Sequence, residues 1–239
     1  MKILLITFVY NELPYIKEMI NFYKDLDIYV IDNYSTDGTY EWLIDNEIEC
    51  HRFDTKETFH LDLLQKELER VLHIKKPDWF VYAHPDLFYV FDKSIRETIK
   101  EAEEKGFNQL SVKCYGALNT GEYFSLPLYT TFQYGAFYRP LQMISKYDKT
   151  VRMNGDNIVL TNAKPMETEG IMVNYGACKP IEEQKVKLER RRKAWYKGLS
   201  TRTGKHFAKY EKVNWTWTKD QCIKFTETED VKYFLKLTE

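Results

Sequence analysis

The chain opens on an apolar run from Ile3 to Tyr10, interrupted only by Thr7, which reads as a strand buried on both faces. "ELPYIKEMINFYKDL" then carries apolar residues at helical spacing. "IYVID" is a second short strand, and "NYSTDG" is a turn of Asn, Ser, Asp and Gly leading into "TYEWLIDN". "IECHRF" is strand-like, "ETFHLDLLQKELERVLHI" is an amphipathic helix, and "DWFVYA" is a further buried strand. This alternation predicts βαβ units and a mainly parallel sheet flanked by helices.

After "KSIRETIKEAEEKG" and "FNQLSVKCYG" the order degrades. From Ala117 to about Tyr138 the chain is rich in Gly, Pro, Tyr and Thr without clear periodicity, which reads as a long functional loop or an acceptor-side insertion. "EEQKVKLERRRKAWYKG" reads as a polar, basic helix, and the final residues are mixed. We divide the chain into a domain over 1–178, with halves 1–116 and 117–178, and a basic extension over 179–239 packed on the same domain.

One stretch breaks its own pattern. In "DWFVYAHPDLFYVF" a buried strand stops at His84, Pro85 and Asp86 before the chain turns apolar again. Pro85 cannot donate to a ladder, so pairing ends there. A carboxylate just past a buried strand stands at the carboxyl edge, where open α/β sheets hold their ligands.

Composition adds a boundary and an asymmetry. With 239 residues, 44% hydrophobic and 15% aromatic, the chain can bury a sizeable core. "MKILLITFVY" is cut short by Asn11 and Glu12, so neither a membrane span nor a cleaved leader is expected, and we expect a cytoplasmic protein. The four cysteines are widely spread with no CxxC pair, which suggests neither a zinc site nor a disulfide framework. The net charge of -1 conceals a basic segment: Lys179 to Lys224 holds fourteen Lys and Arg against five Asp and Glu. Such a segment suits an anionic partner, or is a solvated face neutralised by the acidic body.

Two short stretches belong together. Tyr10, Asn11 and Glu12 follow the first strand, and Asp32 ends the second. Adjacent parallel strands would bring both to one edge, where a carboxylate can accept a hydrogen bond from a uracil imide or from ribose hydroxyls. Taken singly, Asn11 and Asp32 read better as caps of helices and turns.

"FVYNELPYI" and "VIDNYSTDGTYEWL", followed about fifty residues later by an acidic element after a buried strand, resemble the family 2 glycosyltransferases in order and spacing. That resemblance implies a GT-A-like fold of Rossmann type with a C-terminal helical extension, and a nucleotide-sugar donor, UDP-sugar first. It places Tyr10, Asn11, Glu12 and Asp32 around the base and ribose. It puts "AHPD" at the family's DxD position, with Asp86 as the principal metal ligand and His84 in place of the first Asp. One carboxylate and an imidazole hold a divalent ion more weakly than two carboxylates and favour Mn²⁺ over Mg²⁺, so we expect a weakly held, dispensable metal. His84 contacts the metal, contacts ribose or phosphate, or is a structural residue at a strand end.

The stretch from Phe137 to Gln184 resembles the second half of a subgroup of that family. There a "HYG"-like element can lend a histidine to the metal; this chain has Asn174 in "NYG". Asp156, in "NGD", is the candidate base, since inversion at an anomeric carbon needs a carboxylate to take the acceptor proton. The same tripeptide is also a common hairpin turn. With little help from metal, leaving-group charge falls to cations of "RRRK", with Arg190 and Arg192 as the donor-site candidates. The acceptor is a glycan, lipid or protein. One alternative is a nucleic acid, met through the basic segment and its interleaved aromatics. Another is a nucleotide-sugar-binding protein without catalysis.

Overall fold

The computed structural model describes residues 1–55, 60–117, 134–154, 157–176, 186, 189–190 and 223–224. The first unit is β1 (Ile3–Val9), α1 (Leu13–Phe22), β2 (Asp27–Asp32), α2 (Thr39–Asp45), β3 (Glu49–Arg52), α3 (Leu61–Lys75) and β4 (Trp79–Tyr82). All seven residues of β1 and all four of β4 are buried, as continuous apolar runs require when helices cover both faces of a sheet. The second unit is β5 (Leu87–Val90), α4 (Ile95–Glu104), β6 (Gln109–Ala117), β7 (Tyr134–Lys146), β8 (Arg152–Asn154), β9 (Asn157–Val159) and β10 (Pro165–Asn174), with a short β11 (Ile223–Lys224).

The large sheet runs β3-β2-β1-β4-β7-β6-β10-β5, with β11 beside β7. Strands β1 to β4 are parallel, and β6 is parallel to β10. Strand β7 is antiparallel to both β4 and β6, and β5 is antiparallel to β10. The chain therefore builds outward from β1 through β2 to β3, and α3 carries it back to β4 on the other side of β1. The strand order reverses between β1 and β4, and at such a reversal open α/β sheets keep their ligand crevice outside the carboxyl ends of the strands.

Strand β7 begins at Tyr134, inside the stretch whose pattern reads as irregular to about Tyr138. Its register with β6 shifts between Leu110 and Val112 and again between Cys114 and Tyr115. Each shift breaks the period-two pattern that marks a strand, and Pro140 stands next to one of them, where a missing donor is tolerated.

The sheet curls. Strands β4 and β5 are joined through a tight turn in which Leu87 N–H donates to the His84 carbonyl at 2.9 Å, a link that spans at most about 14 Å. They stand four strand positions apart, about 19 Å in a flat sheet. Only curvature reconciles the two lengths, and it brings the carboxyl end of β10 against the β4–β5 turn. Two buried tyrosines fasten the closure. Tyr89 Oη donates to the Tyr82 carbonyl at 2.9 Å, while the Tyr23 hydroxyl donates to the Leu87 carbonyl at 3.2 Å and accepts from Tyr89 N–H at 2.8 Å. Tyr23 thus acts as the missing neighbour of an edge strand.

Each helix start has a local cause. Pro14 stands in the first turn of α1, and Ser94 with Glu97 forms a capping box on α4. Gly38, at φ +87°, precedes α2 in a conformation a side chain would resist. Among the described residues no helix is long and apolar enough to cross a membrane.

Candidate active site at the carboxyl edge

The loops after β1 and β2 are bound to each other before any ligand is considered. Asn11 N–H donates to Ser35 Oγ at 2.9 Å, Thr36 N–H donates to Asn11 Oδ1 at 2.7 Å, and Asn11 Nδ2 donates to Thr36 Oγ1 at 3.3 Å. Asp37 accepts from Leu13 N–H at 3.1 Å with one oxygen and from Thr39 with the other, fixing the starts of α1 and α2 together. Asn11 adopts φ +50°, an uncommon conformation held by these bonds. Its side chain is thereby committed to the loop, while Tyr10 and Glu12 beside it are half-buried at the mouth of the crevice.

Asp32 is fully buried. Its two oxygens accept from Ser35 N–H at 3.3 and 3.1 Å, and Arg52 Nε stands 3.4 Å from Oδ2. Burial raises the pKa of this carboxyl above its ordinary value, against the hydrogen bonds from Ser35 and the charge of Arg52. Asp32 therefore organises the edge from below.

Across the crevice, Asp86 is buried at the end of the β4–β5 turn, and its carbonyl accepts from Tyr175 N–H at 2.9 Å. A Cβ on Gly176 would stand 2.9 Å from Asn174 Oδ1 and 3.3 Å from Asp86 Oδ2, so the curl gathers Asp86, Asn174 and Gly176 at one point. Asn174 Oδ1 accepts from Gly176 N–H at 2.8 Å. The His84 ring packs edge-on to Phe8 with centroids 4.8 Å apart, and its Nε2 lies 3.2 Å from Tyr82 Oη. Among the described residues no three His, Cys, Asp or Glu gather into a metal site. These donors offer a divalent cation one carboxylate, and do not by themselves complete its shell.

Arg190, helical with Val186 and Glu189, reaches the same crevice from far along the chain. Its guanidinium carbon lies 3.1 Å from the centroid of the Tyr10 ring. Its Nε and Nη2 are buried with no hydrogen-bond partner among the described residues. Burial lowers its pKa from the usual arginine value, and Tyr10 and Glu12 oppose that shift. Asp156 and Arg192 lie outside the described residues, as does nearly all of the basic segment. The strands flanking Asp156 pair antiparallel, with Asn154 opposite Asn157. Asn157 Oδ1 accepts from Gln142 N–H at 3.2 Å, on β7 just beyond the Val81–Ile144 pairing with β4.

The sequence pattern overlooked Tyr34, Arg52 and Gly176. Arg52 ends a strand at the edge already inferred for Asp32, and that position was the available signal.

No family model matches the chain, and no curated protein matches it. Among solved structures, the 1–349 fragment of TarS from S. aureus is 13% identical, covering 87% of this chain and 68% of that one with a TM-score of 0.48. TarS 1–349 in complex with UDP is 17% identical over 54% of this chain, with a TM-score of 0.39, and the chain spans only 39% of its length. Glucosyl-3-phosphoglycerate synthase from Mycobacterium tuberculosis, in complex with phosphoglyceric acid, is 17% identical, covering 48% of this chain and 44% of that one with a TM-score of 0.33. This chain is similar to them in the path of its backbone.

Proposed function

We propose that the protein transfers a sugar from a nucleotide sugar, UDP-sugar first, to an acceptor hydroxyl with inversion at the anomeric carbon. The observation that carries this reading is the guanidinium of Arg190, buried against Tyr10 with two nitrogens that have no hydrogen-bond partner among the described residues. A desolvated cation without a partner is costly, and an anion bound in the crevice removes that cost. The crevice also lies where the strand order reverses, the usual ligand position in open α/β sheets.

In the proposed reaction a carboxylate removes the acceptor proton, the acceptor oxygen bonds to the anomeric carbon, and the bond from that carbon to the diphosphate breaks. The electron pair leaves with the nucleoside diphosphate. Arg190 meets the charge that develops on it. Asp156 is the proposed base; support comes from Asn157, its neighbour, which is tied to β7 beside the carboxyl end of β4. A divalent cation, when bound beside Asp86, would add charge neutralisation.

Titration with UDP and UDP-sugars, followed by assay of UDP release with and without acceptor extracts, tests the reading. Micromolar binding of UDP with acceptor-dependent release is expected. Binding without release would make the chain a nucleotide-sugar-binding protein, and no binding of any nucleotide would overturn the reading altogether.

A further inference from the structure

The parallel order of β1, β2 and β3 brings their amino ends to one edge of the sheet, opposite the crevice, with Leu4 paired to Asp27 and Tyr29 to Glu49. The segment after α1 and the last residue of α3 reach the same edge. Together they shape a groove of about 620 Å³ whose floor is Leu4, Ile20, Leu26, Ile28 and Ile48. Two exposed apolar residues flank it. Ile44, whose carbonyl accepts from the N–H of the lining residue Glu47 at 3.0 Å, is 52% exposed, and Ile74, next to Lys75 on α3, is 62% exposed. Ile74 falls outside the buried stripe of that helix. Isolated exposed isoleucines are ordinary, but apolar surface gathered at one edge and rimmed by charge marks an interaction site.

The charges on the rim decide what kind of partner fits. Lys75 and Glu49 are ion-paired with each other, and Lys75 Nζ also lies 5.1 Å from the Tyr29 ring centroid. Lys2, Lys24, Asp27 and Glu47 are exposed and make no ion pair among the described residues. Glu47 is held in place by its own bond to Ile44 and by Ile48 N–H donating to the Leu43 carbonyl at 2.9 Å, so this part of the rim needs little ordering on binding. Two cations and two carboxylates around an apolar floor disfavour a uniformly charged partner: a nucleic acid or an anionic membrane would meet both carboxylates, and a polycation both lysines. A second copy of the same face avoids that conflict, because a two-fold axis sets the lysines of one copy against the carboxylates of the other.

We propose that the protein self-associates through this amino edge as a two-fold dimer, with the apolar groove at the centre of the interface and Lys2, Lys24, Asp27 and Glu47 paired between copies at its rim. The groove and its flanks supply fewer residues than the roughly 20 to 30 a side of a standard interface, so the dimer is weak, with a Kd on the order of 10 μM. The crevice lies at the opposite edge of the sheet, so pairing leaves both copies of it open.

Sedimentation velocity of the full chain from about 1 to about 200 μM tests this, and the parent should pass from monomer to dimer and stop there. Lys2→Glu with Lys24→Glu, and separately Asp27→Lys with Glu47→Lys, should each weaken the dimer at least about tenfold, since like charges then face each other. Mixing these two variants should restore association, because every reversed charge then meets an opposite one. Ile44→Asp with Ile74→Asp, at exposed positions that leave the core intact, should weaken the dimer at least about tenfold by putting charge into its apolar centre. Circular dichroism and UDP titration should match the parent in every variant. A parent that stays monomeric at the highest concentration overturns the dimer, and co-sedimentation of that monomer with phosphatidylglycerol vesicles would give the face to a membrane. A dimer whose affinity none of these variants changes overturns the proposal too, as does association that grows beyond two copies.

Discussion

Arg190 lays its guanidinium on the ring of Tyr10, although 180 residues of chain separate them. The contact joins the first loop of the sheet to the basic segment and sets a cation, two of whose nitrogens have no hydrogen-bond partner among the described residues, at the reversal point of the strand order. Arg190→Ala should weaken UDP binding about tenfold or more, with Arg190→Lys retaining part of it because a point charge replaces the planar fork. Calorimetry at two salt concentrations would check this. Equal affinity in parent and alanine variant would remove Arg190 from the site.

Asp86 and Gly176 give a second expectation. The Cβ of Gly176→Ala would press on Asn174 Oδ1 and reach Asp86 Oδ2 at 3.3 Å. UDP binding in Mn²⁺ should fall several-fold in this variant and be little changed in chelator. Asp86→Ala should abolish the Mn²⁺-dependent part, which we expect to be about tenfold or less in the parent because a single carboxylate holds a cation weakly. Submicromolar Mn²⁺ affinity, measured by direct titration, would contradict this.

Tyr23→Phe tests how the sheet closes. It strips both hydrogen bonds from buried backbone groups of β5, at Leu87 and Tyr89. A loss of about 1 to 3 kcal/mol in unfolding free energy is expected from urea denaturation, with an unchanged denaturant slope. A neutral result would mean that other groups satisfy that edge.

Glu67 supplies a pH dependence. Arg70 donates to it from Nη2 at 2.6 Å and from Nε at 2.9 and 3.0 Å; His51 Nε2 lies at 2.7 Å, and Tyr29 Oη bonds His51 Nδ1 at 3.0 Å. The hydrogen bonds from Arg70, chiefly, hold the Glu67 carboxyl below its ordinary value of 4.5, and burial opposes them. Its ionised form is favoured in the folded state, so this stabilisation is complete above 4.5 and is lost as the pH falls through the depressed folded value. Glu67→Gln should flatten that acid limb in thermal melts recorded at successive pH values. It should also cost about 1.5 to 3 kcal/mol at neutral pH through lost charge-assisted bonds. A variant with the parent's acid limb would locate the pH dependence elsewhere.

Much of the α/β alternation was written locally. The runs around Ile3–Val9 and Trp79–Tyr82 are apolar because both sheet faces are covered, and α3 shows its amphipathic spacing for the same reason. The punctuation at Asn11, Asp37, Gly38 and Pro85 was equally plain, since turns and caps depend on residues a few positions apart. From these the carboxyl edge followed, with Tyr10, Asp32 and Asp86 upon it.

What the linear order could not carry was curvature and depth. Strand β7 hid behind its bulges, and only the short β4–β5 link, working against four strand widths, curls the sheet and sets Asp86 beside Asn174 and Gly176. Asp32 sits at the expected edge, but the Ser35 turn and Arg52 bury it, and the ring beside it that faces solvent belongs to Tyr34. Periodicity records which face of a strand a residue occupies. How far its side chain lies below the surface depends on loops from other strands, and those contacts form only when the chain has folded.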